Sequence, residues 1–432
     1  KEDIKRVAEK YFRANNRTVG TFIPTKDEIR VKPNEFTNKQ ITELVSNYKG
    51  RAVEKEAKSF EASIQNLKAN FAEGKLNNGL KYGIIDKEIK GEKVILSFNL
   101  PVSNEKDLAN KSAIGMLTAE LLTAGTKNLT KEQIKDQLDA LKSSVGFRFN
   151  GQTLSVNINT YKNSLDKTMD IVRQIITEPT FPETELVKSV NEYVTYLDAN
   201  TNDPQALAFN EIQRLTSNYP KTSIYYTSSF PELTEDLKKI KQADLVNFYK
   251  NILGAQNGVV SIVGTNDKTQ IEKLLNTTFG QWNSKSTYQK AYPTFTPTKK
   301  EDKLYNIPDK ENAAAVGTVN FKMNRESADY AAMLMANEML GSGGFLSARI
   351  PMRLREKEGI SYGAGSYVSI PNDSKNDVAS WSYYAFLNPT KRDAVEKALK
   401  EEVSKALKDC FTADELKTNI VSWKNSRNTS LG

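Results

Sequence analysis

The chain contains no histidine and a single cysteine, Cys410. Imidazole is the usual zinc ligand and the usual base of Ser–His and Cys–His pairs, so composition alone excludes an ordinary zinc or triad site within this chain. The stretch organised for chemistry of another kind runs from Gly341 to Val368, GSGGFLSARIPMRLREKEGISYGAGSYV. Glycines at 341, 343 and 344 open it, and helical character follows from about Ser347 to Lys357. Gly359, free to take positive φ, stops that helix. Tyr362, Ser366, Tyr367 and Val368 then read as a strand. Arg355 thus falls in the last turn of a helix and Tyr362 at the start of the next strand. The turn between them can bring a guanidinium and a phenol to one end of the layer. On position alone the pair has a structural explanation, since arginine complements the helix dipole and tyrosine suits strands.

The elements that must position these residues belong to a chain of 432 residues, a length that suggests two to three domains. Apolar residues make up 38% and charged residues 26%, the balance of a globular protein with a sizeable core. The net charge of +8 is mild for this length, and charges of both signs alternate throughout. That pattern describes a solvated surface and argues against a nucleic-acid partner. No apolar run reaches the length of a membrane span, and no amino-terminal apolar segment resembles a signal peptide. Lys1 in first place points to a processed or excised piece. Cys410 lies beside Phe411 near a helix end, where a buried structural thiol is expected.

The chain repeats itself. Residues 2–12 carry Ile4, Val7, Ala8 and Tyr11 at helical spacing, and TVGTFI at 18–23 reads as a strand. DLVNFYKNILGAQNGVVSIVG, from Asp244, has the same plan: Asp3 and Asn16 match Asp244 and Asn257, and Val19 matches Val260. Phe181, Glu185 and Leu186 of FPETEL likewise match Phe411, Glu415 and Leu416 of FTADEL. The expected organisation is a helix-and-strand tail of a truncated preceding domain at 1–25 and a charged, partly helical linker at 26–75. A first complete α+β domain at 76–285 follows, then a Pro- and Lys-rich hinge at 286–300. A second α+β domain occupies 301–432, without the closing helix and strand of the first. Asn78-Gly79 marks a hairpin turn. Antiparallel-rich sheets packed with helices are the natural architecture.

The run LREKEGISYGAGS resembles the signature of the pitrilysin (insulinase) family of zinc peptidases, the inverzincins, in the half that holds no metal. NRTVGTFIP at 16–24, AELLTAGTKNLTKEQIKDQLDALKSSVGFRF and TEPTFPETEL resemble further landmarks, so the resemblance covers nearly the whole chain. It implies repeated domains of the metallopeptidase-like α+β fold, four in all, forming two halves that close around an extended peptide. In a catalytic half the inverted motif H-x-x-E-H would precede the Gly-Thr-Lys-Asn turn. Here those five positions are Met116, Leu117, Thr118, Ala119 and Glu120, and the downstream ligand glutamate would fall near Thr195–Tyr196. Both histidines, the general-base glutamate and the distal ligand are missing, and Glu120 reads as structural.

The resemblance therefore implies the non-zinc, C-terminal half of a zinc metalloendopeptidase, with the tail of the zinc half attached. Arg355 and Tyr362 would be supplied to the zinc half for substrate binding and oxyanion stabilisation. This piece would hold no cofactor, and zinc would lie in the missing N-terminal half of the same polypeptide. The other partners would be peptides or unfolded proteins, and long two-half members suggest a bacterial periplasm or envelope. The first repeat offers a comparison, since LKSSVGFRF has Lys142 at the corresponding helix end and no tyrosine in the strand after it. A second reading is a non-catalytic peptide-binding or scaffold subunit of the same family. Sequence upstream of Lys1 containing H-x-x-E-H separates the two. On either reading this chain alone shows no peptidase activity and binds zinc no better than scattered surface carboxylates. Elemental analysis after dialysis checks this, and stoichiometric retained zinc contradicts it.

Overall fold

A computed structural model describes residues 2–21, 37–46, 60–264, 267–343 and 347–431. The chain forms two compact units, Lys1–Val53 and Glu54–Gly432. In the first, an amphipathic helix spans Glu2–Tyr11, and its Ile4, Val7 and Tyr11 are exposed. A 3₁₀ turn follows at Ala14–Asn16. The strand expected at 18–23 is not formed over residues 18–21, and 22–23 lie outside the described residues. A strand needs a ladder partner for its backbone groups, and none is present there among the described residues. Thr37 begins a second helix, Asn38–Val45, through a reciprocal capping box with Gln40. Of the charged, partly helical linker expected at 26–75, residues 26–36 and 47–59 lie outside the described residues, Ile64–Ala69 is helical, and Phe71–Lys75 is a strand.

The second unit opens with a six-stranded sheet. Its strands are β1 (Phe71–Lys75), β2 (Lys81–Ile85), β3 (Lys93–Pro101), β4 (Ser144–Asn150), β5 (Thr153–Tyr161) and β6 (Val259–Val263), in the order β1-β2-β6-β3-β5-β4. Only β2 and β6 run parallel. Gly79, at φ 109°, turns β1 into β2, and a side chain there would strike the Gln256 carbonyl. On β3 the alternate residues Val94, Leu96, Phe98 and Leu100 are buried, the period of a strand with one face on a core. Helices Ser112–Leu121, Leu165–Thr177, Gln242–Ile252 and Lys268–Phe279 supply much of the rest of that core.

A second, three-stranded sheet contains β7 (Ala313–Lys322), β8 (Gly363–Ser369) and β9 (Val378–Leu387), in the order β7-β9-β8 and antiparallel throughout. This is the order of β3-β5-β4. Helices Ser112–Leu121 and Lys131–Ala140 lie between β3 and β4. Tyr330–Asn337, extended by a π turn at Glu338–Ser342, and Arg349–Lys357 lie between β7 and β8. Helices Leu165–Thr177 and Glu183–Thr201 follow β5 as Arg392–Asp409 and Ala413–Leu431 follow β9. The fold is α+β and repeated. β6 and its preceding helix have no counterpart in the second repeat among the described residues, so β7 has a strand neighbour on one side only.

The same ion pair recurs in both repeats. Lys131, first residue of its helix, meets Glu185 at 2.5 Å, and Arg349, first residue of its helix, meets Glu415 at 2.7 and 2.8 Å in a two-pronged contact. Each glutamate is the one at the matching place of FPETEL and FTADEL. Glu415 also accepts from the Thr412 backbone and hydroxyl, capping its own helix, and Arg349 donates to the Cys410 carbonyl and lies over the Phe411 ring. Cys410 itself is exposed, not buried as the sequence suggested. It stands at φ 58° just past a helix, where the backbone turns inward to Arg349 and the thiol is left in solvent.

The segment joining the repeats is strapped down. Gln289 N–H donates to the Ser103 carbonyl, Gln152 brackets it through Gln289 and Ala291, and the Tyr219 and Tyr225 phenols reach Thr294 and Ala291. Among the described residues no helix is long and apolar enough to cross a membrane.

The Arg349 fork, with lesser help from Thr412, pulls the Glu415 carboxyl from its ordinary value to about 2. A depressed folded-state value contributes stability that is complete above the ordinary carboxylate range and is lost as pH falls from about 4.5 to about 2. Glu415→Gln is therefore expected to destabilise the protein by roughly 1.5–3 kcal/mol at pH 7, with the gap to wild type closing toward pH 2–3. Denaturant melts at several pH values measure this, and a gap independent of pH contradicts it.

Candidate functional site

Arg355 and Tyr362 lie at one helix–turn–strand junction, and the chain reaches it through a distorted helix. Arg349–Pro351 begins as an α-helix and continues over Met352–Lys357 as a π-helix, in which Glu358 N–H donates to the Arg353 carbonyl at 3.0 Å. Gly359 ends it at φ 58°, as the sequence predicted. The backbone then folds back on buried Leu354, whose carbonyl accepts from both Ile360 and Ser361. The Ser361 hydroxyl lies 2.8 Å from the Phe386 carbonyl and 2.9 Å from that of Gly363. Tyr362 N–H donates to the Phe386 carbonyl at 2.8 Å, which anchors its backbone to β9.

The two side chains are presented differently from their backbones. Tyr362 is 63% exposed although its main chain is hydrogen-bonded. The Arg355 side chain is 42% exposed, with Nε 3.7 Å from a Glu356 carboxylate oxygen. A planar five-donor fork and a phenolic donor thus stand at the surface on a tightly fixed backbone, able to hold carbonyl oxygens of an extended peptide.

The corresponding place in the first repeat carries opposite chemistry. There helix Lys131–Ala140 exits through Lys142 at φ 51°, and the Leu138 carbonyl accepts from Ser143 as the Leu354 carbonyl accepts from Ser361. Lys142 is therefore the counterpart of Gly359, not of Arg355 as the sequence comparison suggested. The residue following the accepting leucine is Asp139, paired with Lys135 at 2.6 Å.

The positions of the inverted metal motif form part of a core. Leu117, Thr118 and Ala119 are buried on helix Ser112–Leu121, and the Thr118 hydroxyl donates to the Ile114 carbonyl. Glu120 accepts from the Tyr193 phenol, which burial and this carboxylate together push up to about 12. Tyr193 belongs to helix Glu183–Thr201, which also carries Thr195 and Tyr196, so Glu120 is engaged in packing. A set of thioether, alkyl and hydroxyl groups with one engaged carboxylate does not fit zinc. Among the described residues no cluster of three or more His, Cys, Asp or Glu side chains could hold a metal ion.

Sequence reasoning missed the residues that brace the junction: Arg349, Arg353, Glu358, Glu401, Glu402 and Glu415. The matched glutamate of FTADEL was the available signal for Arg349–Glu415. The others are hidden in RLREKE and KEE, where a charge run reads as a solvated face.

Residues 239–420 match the peptidase M16 inactive domain. An uncharacterised zinc protease of Rickettsia felis is 22% identical over 364 residues, covering 78% of this chain and 79% of that protein. The fold is similar to that of a peptidase M16 inactive domain from Pseudomonas fluorescens, with a TM-score of 0.72 at 18% identity over 84% of this chain and 86% of that one. It is also similar to the periplasmic protease PqqL from Escherichia coli, with a TM-score of 0.65 at 14% identity over 98% of this chain and 43% of that one. With its metal positions built into a core and its repeats ordered as they are, the chain carries over residues 239–420 the inactive domain of the M16 peptidases.

Proposed function

We propose that this chain is the C-terminal, non-zinc half of a zinc metalloendopeptidase that encloses and cleaves peptides or unfolded proteins. The observation that carries the reading is the Arg355–Tyr362 junction, two exposed donors on an anchored backbone at the places where the family's signature puts its substrate contacts. The extent of the PqqL match supports a two-half arrangement, because nearly all of this chain corresponds to less than half of that one. Residues 1–25 then belong to the end of the zinc half, 26–70 connect the halves, and 71–285 and 301–432 are the two domains of this half, joined at 286–300, the first starting at β1 rather than at 76. Zinc resides in the companion half of the same polypeptide. The periplasm is the proposed setting.

In this role the chain contributes no ligand and no general base. The Arg355 fork holds backbone carbonyls of the bound peptide and fixes its register across the cleft. The Tyr362 phenol donates to the carbonyl oxygen at which negative charge grows, an interaction stronger in the transition state than in the ground state. Because both donors come from a wall separate from the metal, activity requires the halves to close.

In the full-length polypeptide, Tyr362→Phe removes one donor and keeps the ring. A loss on the order of 10²–10³ in kcat is expected. Arg355→Lys is expected to reduce activity as well, because a point charge does not reproduce a planar fork. Lys357→Ala, in the same helical turn, is the control and is expected to be nearly silent. Peptide-cleavage kinetics and melting temperatures for the three variants decide it. A normal kcat in Tyr362→Phe, or losses accounted for by lower melting temperatures, contradicts the reading.

A further inference from the structure

The helix that carries Arg355 leaves α geometry where Arg355 lies. Over Met352–Lys357 it is a π-helix, closed by the hydrogen bond from Glu358 N–H to the Arg353 carbonyl. In an α-helix, five steps of about 100° put residues i and i+5 about 140° apart, and their side chains do not meet. Here Arg353 Nε and a Glu358 carboxylate oxygen are 2.8 Å apart. The pair exists because the turn is π, and its formation favours the π turn in return.

The rest of the same guanidinium is tied elsewhere. Nη2 donates to Glu401 at 2.5 Å and Nη1 to Glu402 at 3.2 Å, both on helix Arg392–Asp409. The Arg353 side chain is 23% exposed, and Glu402 less so. The three glutamates hold the arginine firmly protonated, with the Glu358 bond the largest cause. One planar fork thus fastens the end of the Arg355 helix both to its own exit turn and to the helix that follows β9. The first repeat supplies a comparison. Its equivalent helix, Lys131–Ala140, is α-helical throughout and carries an ordinary i,i+4 pair, Lys135–Asp139, at this level. The repeat without the exposed Arg–Tyr pair has neither the π turn nor the i,i+5 pair.

A π turn changes the angular position of the residues within and beyond it relative to the α-helical path, and such turns gather at functional sites. Arg355 sits inside the turn, and Tyr362 follows its exit. We propose that Arg353 is a positioning residue: through Glu358 it holds the π turn that aims Arg355 and sets the backbone leading to Tyr362. The proposal rests on the peptidase reading given above and assigns a residue behind the two donors.

Glu358→Gln removes the charge while keeping size and an acceptor, and Arg353→Lys keeps a charge but not the fork. Hydrogen exchange on this chain reads the brace without activity. Amides of residues 358–362 are expected to exchange at least about tenfold faster in Glu358→Gln, with those of β3 and β5 unchanged. In the full-length enzyme, Glu358→Gln is expected to lower kcat on the order of 10- to 100-fold with KM little changed and an intact melting transition. In an Arg355→Ala, Tyr362→Phe background the same substitution is expected to add almost nothing, because it acts through those two donors. A residue with a merely structural role lowers the melting temperature, and its loss multiplies with that of the Arg355→Ala, Tyr362→Phe pair. Unchanged exchange, multiplying losses, or a normal kcat in Glu358→Gln beside an impaired Tyr362→Phe overturns the proposal alone. A normal kcat in Tyr362→Phe overturns the peptidase reading, and the proposal with it.

Discussion

The Arg349–Glu415 contact is the constraint on which the second repeat depends. It joins the first turn of the Arg355 helix to the first turn of the last helix, and Glu415 caps that last helix at the same time. Arg349 is 13% exposed, so loss of either partner strands a largely desolvated charge. The first repeat uses Lys131–Glu185 in the same place, where a single ammonium contact suffices. The heavier bidentate version stands where the following helix is bent from α geometry and its far end carries exposed donors. Clamped at Arg349 and again at Arg353, the helix has little freedom left at Arg355.

The first repeat builds its core without metal ligands at the motif positions. A zinc site would put several polar ligands into the packing between helices Ser112–Leu121 and Glu183–Thr201, and without the ion their desolvation would be uncompensated. This chain fills the space with Leu117 and Ala119, satisfies Thr118 against its own helix, and pairs Glu120 with Tyr193. The sheet order, the helix pairs and the Lys–Glu clamp all remain. The metal positions lie on helices and in no strand ladder, so the sheet does not depend on ligands there. On the proposed reading, this chain can contribute to catalysis only through donors at its surface.

Much of the fold was legible because its signals are local and periodic. The alternation on β3, the Asn78-Gly79 turn and the stop at Gly359 each follow from a few adjacent residues. The repeat was legible through FPETEL and FTADEL because those residues make the same contact twice. Legibility failed where the outcome depended on partners distant in sequence or on geometry outside the standard periods. Residues 18–21 have strand character but no ladder to join. Cys410 looked like a core thiol until Arg349 claimed its carbonyl. Lys142 was matched to Arg355 by its place near a helix end, whereas its left-handed backbone makes it the partner of Gly359. The π turn was invisible for a related reason: a pair spaced i,i+5 counts as unrelated under α-helical periodicity. Arg355 and Tyr362 themselves were found through a family signature, and the structure adds their exposure and the anchored backbone beneath them.

In the proposed function this chain offers two braced donors to a peptide held against a separate metal-bearing half. The most direct measurement is a structure of the full-length polypeptide with a bound, uncleaved peptide. The account predicts closed halves, with the Tyr362 hydroxyl and the Arg355 guanidinium within hydrogen-bond distance of the peptide backbone and the π turn at Met352–Lys357 preserved. A peptide enclosed in the cleft while both side chains face bulk solvent would contradict it.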